Sequence, residues 1–119
     1  MENIRFLFKG VRIDERTEDY IRKRIQGIYK LLADIIQVEV EIDLDKKGKF
    51  RIELMVKTPR NLYRAEETTE SIEGSTDIAI NEIKNQIKKK KNKRMDLIKR
   101  GGRTIKKNIV LDGNSRFNQ

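Results

Sequence analysis

The sequence predicts an α+β fold in the order β-α-β-β-β-α, with two helices packed on one face of a four-stranded mixed sheet. Three observations lead to this prediction. Four segments alternate apolar and polar residues as strands do, two segments repeat apolar residues with a helical period, and turn residues separate them. A chain of 119 residues is long enough for one domain with a real core.

The chain is predicted to open with a strand over residues 3–9, followed by a helix. Ile4, Phe6 and Phe8 share one side of that strand, which ends near Gly10. Asp14 is a suitable helix N-cap, because its carboxylate can accept a hydrogen bond from the first turn. The helix then runs to about residue 32. Its buried stripe, at spacing i, i+4, i+7 and i+11, consists of Ile21, Ile25, Ile28 and Leu32.

Three further strands follow, separated by two tight turns. The strand over residues 36–44 alternates most clearly, with Val40 on its apolar side and Glu41 on its polar side. Residues 45–48 form a turn that ends in glycine, and residues 58–61 form a second turn around Pro59. The remaining two strands cover residues 50–56 and about 62–67.

The topology follows from the handedness of strand connections. The first two strands must run parallel if the helix between them is a right-handed crossover, and the other strands form an antiparallel meander. Because each strand has one apolar and one polar face, both helices should cover the same side of the sheet. The opposite face should then be open to water. It carries Glu39, Glu41, Arg51 and Glu53.

The second helix is predicted to begin near Thr69 or Ser71 and to end at about Arg94. Its first turns are weakened by the poor helix formers at positions 74–76. Residues 1–95 should therefore form the α+β domain, and residues 96–119 a basic, flexible C-terminal tail. The inward stripe of the helix consists of Ile72, Thr76, Ala79, Ile80, Ile83 and Ile87.

The positive charge of the chain is concentrated at its C-terminal end. Residues 1–83 contain 15 Lys+Arg and 17 Asp+Glu, a net charge of −2, whereas residues 84–119 contain 13 and 2, a net charge of +11. Lys84, Lys88 and Lys91 lie at i, i+4 and i+7 on the outward face of the second helix, flanked by Lys89 and Arg94. Such a block indicates a polyanion, although lysines read no base sequence and a solvated tail has the same composition.

Several other kinds of chemistry find no support in the sequence. The chain has no Cys and no His, which excludes disulfides, thiolate metal sites and Cys-His or Ser-His catalysis, and the lack of Cys fits a reducing cytoplasm. Asp43 and Asp45 are better explained as the solvent side of a strand than as a cation site. We therefore predict no enzyme, metal, cofactor or small-molecule substrate. We expect no membrane association either, because the sheet already occupies the apolar stripe of the second helix.

The string Tyr63-Arg64-Ala65-Glu66-Glu67, followed by a helix that ends in a lysine-rich run, resembles the hibernation-promoting factor and ribosome-associated inhibitor A family. The resemblance covers about residues 2–95 and has the same element order. It implies a fold like that of double-stranded RNA-binding domains with an extra first strand. The matching residues of the second helix are Asp77, Ala79, Ile83, Gln86, Ile87, Lys88, Lys89 and Lys91.

The resemblance also implies a function. Such a protein would bind the small ribosomal subunit through 16S-type rRNA, occupy the decoding region and silence translation in idle or stressed bacterial cells. It would be cytoplasmic and monomeric off the ribosome. The implied rRNA-binding residues are Lys84, Lys88, Lys89, Lys91 and Arg94, with Arg22, Lys23 and Lys30 on the first helix.

Two departures and two alternatives accompany this interpretation. Glu73 stands where many relatives have tyrosine, and Lys90 stands where an apolar or aromatic residue is often seen. About 25 residues follow the second helix as predicted, too few for a second folded domain that could pair ribosomes. A general structured-RNA-binding or ribosome-assembly protein, and an interaction module that modulates a transcription factor, remain alternatives.

Overall fold

The computed structural model describes residues 3–107, and the side chains of residues 3–95, 97 and 98. The elements are β1 (Ile4–Lys9), α1 (Glu15–Tyr29), β2 (Gln37–Leu44), β3 (Phe50–Lys57), β4 (Leu62–Thr69) and α2 (Ile72–Lys107). The predicted element order and α+β class are thus confirmed. The chain divides into two compact units, Met1–Ile87 and Lys88–Gln119, which are described separately below.

The sheet has the strand order β1-β2-β3-β4, so each strand lies beside its neighbour in sequence. β1 pairs in parallel with β2, and the other two pairs are antiparallel, as the crossover argument predicts. One row of partners crosses the whole sheet: Phe6 lies opposite Val40, Val40 opposite Leu54, and Leu54 opposite Ala65. Because this row is apolar throughout, it defines the face on which the helices pack.

The core lies between that sheet face and the two helices. Ile21, Ile25 and Ile28 of α1 are completely buried, as are Ile80 and Ile83 of α2. Both helices contribute to one apolar cluster with the inner face of the sheet, which confirms the two-layer prediction. Each fully buried aliphatic side chain contributes about 1.5–3 kcal/mol through removal of apolar surface from water.

The predicted caps and turns form as expected. The Asp14 side chain accepts a hydrogen bond from the Thr17 N–H at 2.8 Å, which fixes the start of α1 and lowers the pKa of that carboxyl. The Asp45 side chain accepts from the Lys47 and Lys49 N–H groups, and Gly48 adopts the left-handed φ of 81° that the turn requires.

The first turn of α2 explains why poor helix formers occur there. The Ser75 hydroxyl donates to the Phe50 carbonyl at 2.7 Å and accepts from the Thr69 N–H at 2.9 Å, although Ser75 is completely buried. The Ser71 hydroxyl accepts from the Gly74 N–H and caps the helix. Residues of low helix propensity thus occur within positions 71–75 because side chains there form hydrogen bonds that connect α2 to β3 and β4 and cap the helix.

We predict that Ser75→Ala lowers the free energy of unfolding by about 1–3 kcal/mol, because the partly buried Thr69 N–H and Phe50 carbonyl lose this partner. Urea denaturation followed by circular dichroism measures the loss. Asn85→Ala, at an exposed position of the same helix, serves as the control and should change stability by less than about 0.5 kcal/mol. Equal stability of the two variants would contradict the role of Ser75.

Three predicted boundaries were wrong. α1 ends at Tyr29 and not near Leu32, although Leu31 and Leu32 still pack against the core. β4 continues to Thr69, and Ile36 precedes β2 and is half exposed.

The largest error is in α2, which continues through the two glycines to Lys107 instead of ending near Arg94. Two helical glycines cost only about 2 kcal/mol, and the Lys, Arg, Leu and Ile residues around them favour or tolerate the helix. The helical part of the predicted tail thus ends at Lys107, and residues 108–119 lie outside the described residues. The division at residue 95 stays a prediction.

Candidate nucleic-acid interface

The two helices are joined at their surface by an acidic residue of α2. The Asp77 carboxylate accepts a hydrogen bond from the Tyr20 hydroxyl at 2.8 Å, and the Arg24 Nε atom lies 3.0 Å from the same oxygen. This hydrogen bond raises the pKa of Tyr20. Arg24 is therefore already paired with a carboxylate and is a weaker candidate for binding an external anion than the exposed Lys23 and Lys30.

Three lysines lie on or above the face of α1 that carries Gly27. Lys23, Gly27 and Lys30 occupy positions i, i+4 and i+7 and so share one helical face, and both lysines are exposed. The Lys84 ammonium of α2 lies above Gly27, only 2.8 Å from the position that a Cβ atom would take there. The absence of a side chain at Gly27 thus allows Lys84 to approach α1. We call Lys23, Lys30 and Lys84 the helix-face lysines.

Arg22 is in a different environment from these lysines. Its Nε atom lies 3.3 Å from the Glu18 carboxylate one turn earlier, and its guanidinium lies 4.9 Å from the centre of the Phe6 ring. Arg22 is thus directed towards β1 and already has an anionic neighbour. Among the predicted rRNA contacts of α1, Lys23 and Lys30 have the more exposed positions.

The second compact unit begins at Lys88, and residues 88–107, all helical, are called the basic arm below. They contain 11 Lys+Arg and one Asp, a net charge of +10, and at 1.5 Å per residue they extend about 30 Å. Lys88, Lys89, Lys91 and Arg94 are all exposed on this helix. The basic arm also contains cationic residues outside the predicted rRNA-binding set, most of which the sequence analysis assigned to a flexible tail: Lys90, Lys93, Lys99, Arg100, Arg103, Lys106 and Lys107.

On the sheet face opposite the helices, an arginine is surrounded by carboxylates. The Arg51 guanidinium contacts four carboxylates, those of Glu41, Asp43, Glu53 and Glu66. Its side chain is only 23% exposed and that of Glu53 only 13%, because the charged groups cover one another. The prediction that this face is open to water is therefore only partly right. Within residues 3–87 both helices pack on the other side of the sheet, but the side chains of this face are half buried in an ion-pair network.

This network also determines where an anion can bind. Arg64 pairs with Glu53, and Lys9 lies 3.4 Å from Glu41, so these cations also have carboxylate partners. A phosphate approaching this face would meet acidic side chains beside every one of these cations. The helix-face lysines and the basic arm are thus the better candidates for binding a polyanion.

Within residues 3–107, no helix is long and apolar enough to cross a membrane. The same part of the chain contains no group of three or more His, Cys, Asp or Glu residues arranged to hold a metal ion.

Comparison with known proteins identifies the family. A family model described as "Sigma 54 modulation protein / S30EA ribosomal protein" matches residues 4–95. The chain belongs to this family. The resemblance to hibernation-promoting factors is thereby confirmed, and the protein is a member of a family of ribosome-associated modulation proteins.

Two solved structures share the fold of this S30EA family member. The N-terminal domain of Protein Y from Thermus thermophilus is 24% identical, with a TM-score of 0.67, and the match covers 75% of this chain and 98% of that one. A ribosomal subunit interface protein from Coxiella burnetii is 19% identical, with a TM-score of 0.70, and the match covers 76% and 98%. At these identities the two structures support the fold alone.

The structure explains one part of the S30EA sequence pattern. The Gln86 amide of α2 donates to the Arg64 carbonyl at 2.8 Å and accepts from the Arg64 N–H at 3.3 Å. Arg64 lies in the edge strand β4, so the amide takes the place of a neighbouring strand at that position. The Arg-Ala-Glu string of β4 and the glutamine of the following helix are thus in contact, and this contact protects the edge of the sheet.

Proposed function

We propose that this protein binds the small ribosomal subunit, occupies the decoding region where messenger and transfer RNA meet, and silences translation in idle or stressed cells. One observation carries the proposal. Exposed cations of the helix face and the basic arm include Lys23, Lys30, Lys88 and Lys89, whereas Lys9, Arg51 and Arg64 on the opposite sheet face are paired with carboxylates. An S30EA family member with this charge separation is suited to dock on rRNA phosphates through its helices.

The proposed mechanism is steric and electrostatic. The helix-face lysines and the basic arm contact backbone phosphates, and each contact releases a condensed counterion from the RNA. The body then fills the space that a transfer RNA anticodon end needs. No catalytic step is involved. The proposed phosphate contacts remain Arg22, Lys23, Lys30, Lys84, Lys88, Lys89, Lys91 and Arg94.

The continuation of α2 changes one part of this proposal. A flexible tail would lose conformational entropy when it binds, about 1–2 kcal/mol per residue for the backbone. A segment that is already helical presents its cations at fixed 1.5 Å steps and avoids most of that cost. We therefore propose that the basic arm binds as a helix along rRNA phosphates.

Competition on purified small subunits tests the proposal. We expect initiator transfer RNA and this protein to displace each other, and addition of the protein to reduce translation of a reporter message in a purified system. Simultaneous binding without mutual loss would refute decoding-site occupancy and favour the RNA-binding or assembly alternative. Binding that is insensitive to salt between about 50 and 200 mM would contradict phosphate recognition and favour the protein-interaction module that the family's description also names.

A further inference from the structure

Two aromatic rings stack at the β1 edge of the sheet. The Phe6 and Phe8 ring centres are 6.0 Å apart with an angle of 18° between their planes. Among the strands of residues 3–107, β1 pairs with β2 alone and forms one edge of the sheet. The Arg22 guanidinium lies over the Phe6 ring at 4.9 Å. An arginine and two stacked rings therefore meet beside the exposed face of α1.

Core packing accounts for only part of this arrangement. Phe6 packs against the apolar core, and the Arg22 guanidinium covers its ring. Phe8 does not belong to that cluster and is 38% exposed. Phe6, its neighbour in the stack, packs against the core, whereas water reaches the Phe8 ring. Exposed aromatic rings and arginine guanidinium planes are the groups on which proteins stack unpaired nucleic-acid bases, and here both belong to one stack.

We propose that Phe8, supported by Phe6 and Arg22, stacks on an unpaired RNA base. This inference rests on the proposed function, because it adds a base contact to an rRNA site otherwise formed by phosphates. The base lies against the Phe8 ring, and the Arg22 guanidinium, oriented by Glu18, contacts the adjoining phosphate or base edge. Stacking of this kind tolerates any base, since every base has a π face.

The salt dependence of binding distinguishes a base contact at Phe8 from the lysine–phosphate contacts. Loss of a base–aromatic stack weakens binding by about 5- to 100-fold, but releases no counterion and leaves the salt dependence of binding unchanged. Loss of a lysine–phosphate contact reduces both the affinity and the steepness of the salt dependence. Measuring affinity across a salt series therefore distinguishes a base contact at Phe8 from a general electrostatic effect.

The test uses the full chain with Phe8→Leu, which keeps an apolar side chain and removes the aromatic face. We expect a 5- to 100-fold higher Kd for purified small subunits and an unchanged slope of log K against log salt. Leu7→Ala, at an exposed position of the same strand whose side chain points to the opposite sheet face, is the matched control and should bind like the wild type. Wild-type affinity of the Phe8→Leu protein would overturn the stacking proposal while leaving the proposed function intact.

A second variant keeps the proposal testable if Phe8→Leu folds poorly. The chain contains no tryptophan, so Phe8→Trp introduces a single tryptophan at the stacking position, and its emission can be excited separately from that of the three tyrosines. We expect this protein to retain wild-type affinity and its fluorescence to be quenched when small subunits bind. Unquenched emission in a complex that forms normally would overturn the base contact. Failure of the wild type to bind small subunits at all would instead refute the proposed function.

Discussion

Reversal of two charges in the basic arm, Lys88→Glu with Lys91→Glu, is expected to weaken binding to small subunits by at least about 100-fold at ~0.1 M salt. Each lysine–phosphate contact contributes roughly tenfold in affinity at that salt concentration through counterion release, and the new carboxylates add repulsion. The slope of log K against log salt should fall by about two. Sedimentation of the protein with purified subunits across a salt series measures both quantities.

The matched control reverses two lysine charges outside the basic arm. Lys46→Glu with Lys47→Glu alters two exposed lysines of the turn between β2 and β3, which is remote in sequence from both helices. This variant should keep most of the affinity, apart from a small effect of net charge. Circular dichroism should show both proteins folded, because all four lysines are exposed. Equal weakening by the two double variants would mean that overall charge, and not the basic arm, drives binding.

Removal of the central guanidinium of the sheet face, by Arg51→Met, is expected to lower the free energy of unfolding by about 2–3 kcal/mol at pH 7. The change leaves Glu41, Asp43, Glu53 and Glu66 facing one another without the cation that joins them. Loss of one partner from a fully buried pair costs roughly 3–5 kcal/mol, and partial exposure to water reduces that figure here. Urea denaturation measures the difference.

The pH dependence of this loss has a definite sign. The Arg51 hydrogen bond, and then Lys9, hold the pKa of Glu41 below its ordinary value of 4.5. The stability from this interaction is therefore fully present above pH 4.5 and is lost as the pH falls through the lower folded-state pKa. In Arg51→Met the carboxylates repel one another, and protonation relieves that repulsion. The stability gap between wild type and variant should thus shrink as the pH is lowered from 7 to below 4.5.

Arg60→Met, at an exposed position in the turn between β3 and β4, controls for the loss of one positive charge. It should change stability by less than about 0.5 kcal/mol at either pH. A gap between wild type and Arg51→Met that stays constant across this pH range would show that packing, and not the carboxylates, causes the loss.

Local sequence patterns were sufficient to predict strands, buried helix faces and helix starts. The alternation around Val40 predicted a strand, the isoleucines at Ile21, Ile25 and Ile28 predicted the buried stripe of α1, and Asp14 predicted its start. Each of these signals arises from a short-range rule, either the periodicity of side chains or a cap that only certain side chains supply. The concentration of positive charge after residue 83 was equally visible, because counting charges needs no coordinates.

The end of α2 could not be predicted in the same way. The prediction ended the helix at about Arg94, and two glycines follow at positions 101 and 102, but a helix ends only where the summed cost exceeds the gain from continuing, and its lysine-rich flanks favour continuation. The reason for a serine at position 75, in the first turns of α2, could not be predicted either. Its low helix propensity is a local property, whereas the hydrogen bonds that justify it reach Phe50 and Thr69 in other elements.

The sequence by itself determined the element order, the sheet faces and the existence of a cationic region, because all three depend on residue type and spacing along the chain. Only the tertiary structure decided which cations are paired with carboxylates. Arg51, Arg22 and Lys84 carry the same charge but have different surroundings. Arg51 contacts four carboxylates, and Arg22 contacts the Phe6 ring and Glu18. Lys84 lies above Gly27, which leaves room for its ammonium group. Glu18 and Glu53 are near their arginines in sequence, but Phe6, Glu66 and Gly27 belong to other elements, and only folding brings them to Arg22, Arg51 and Lys84.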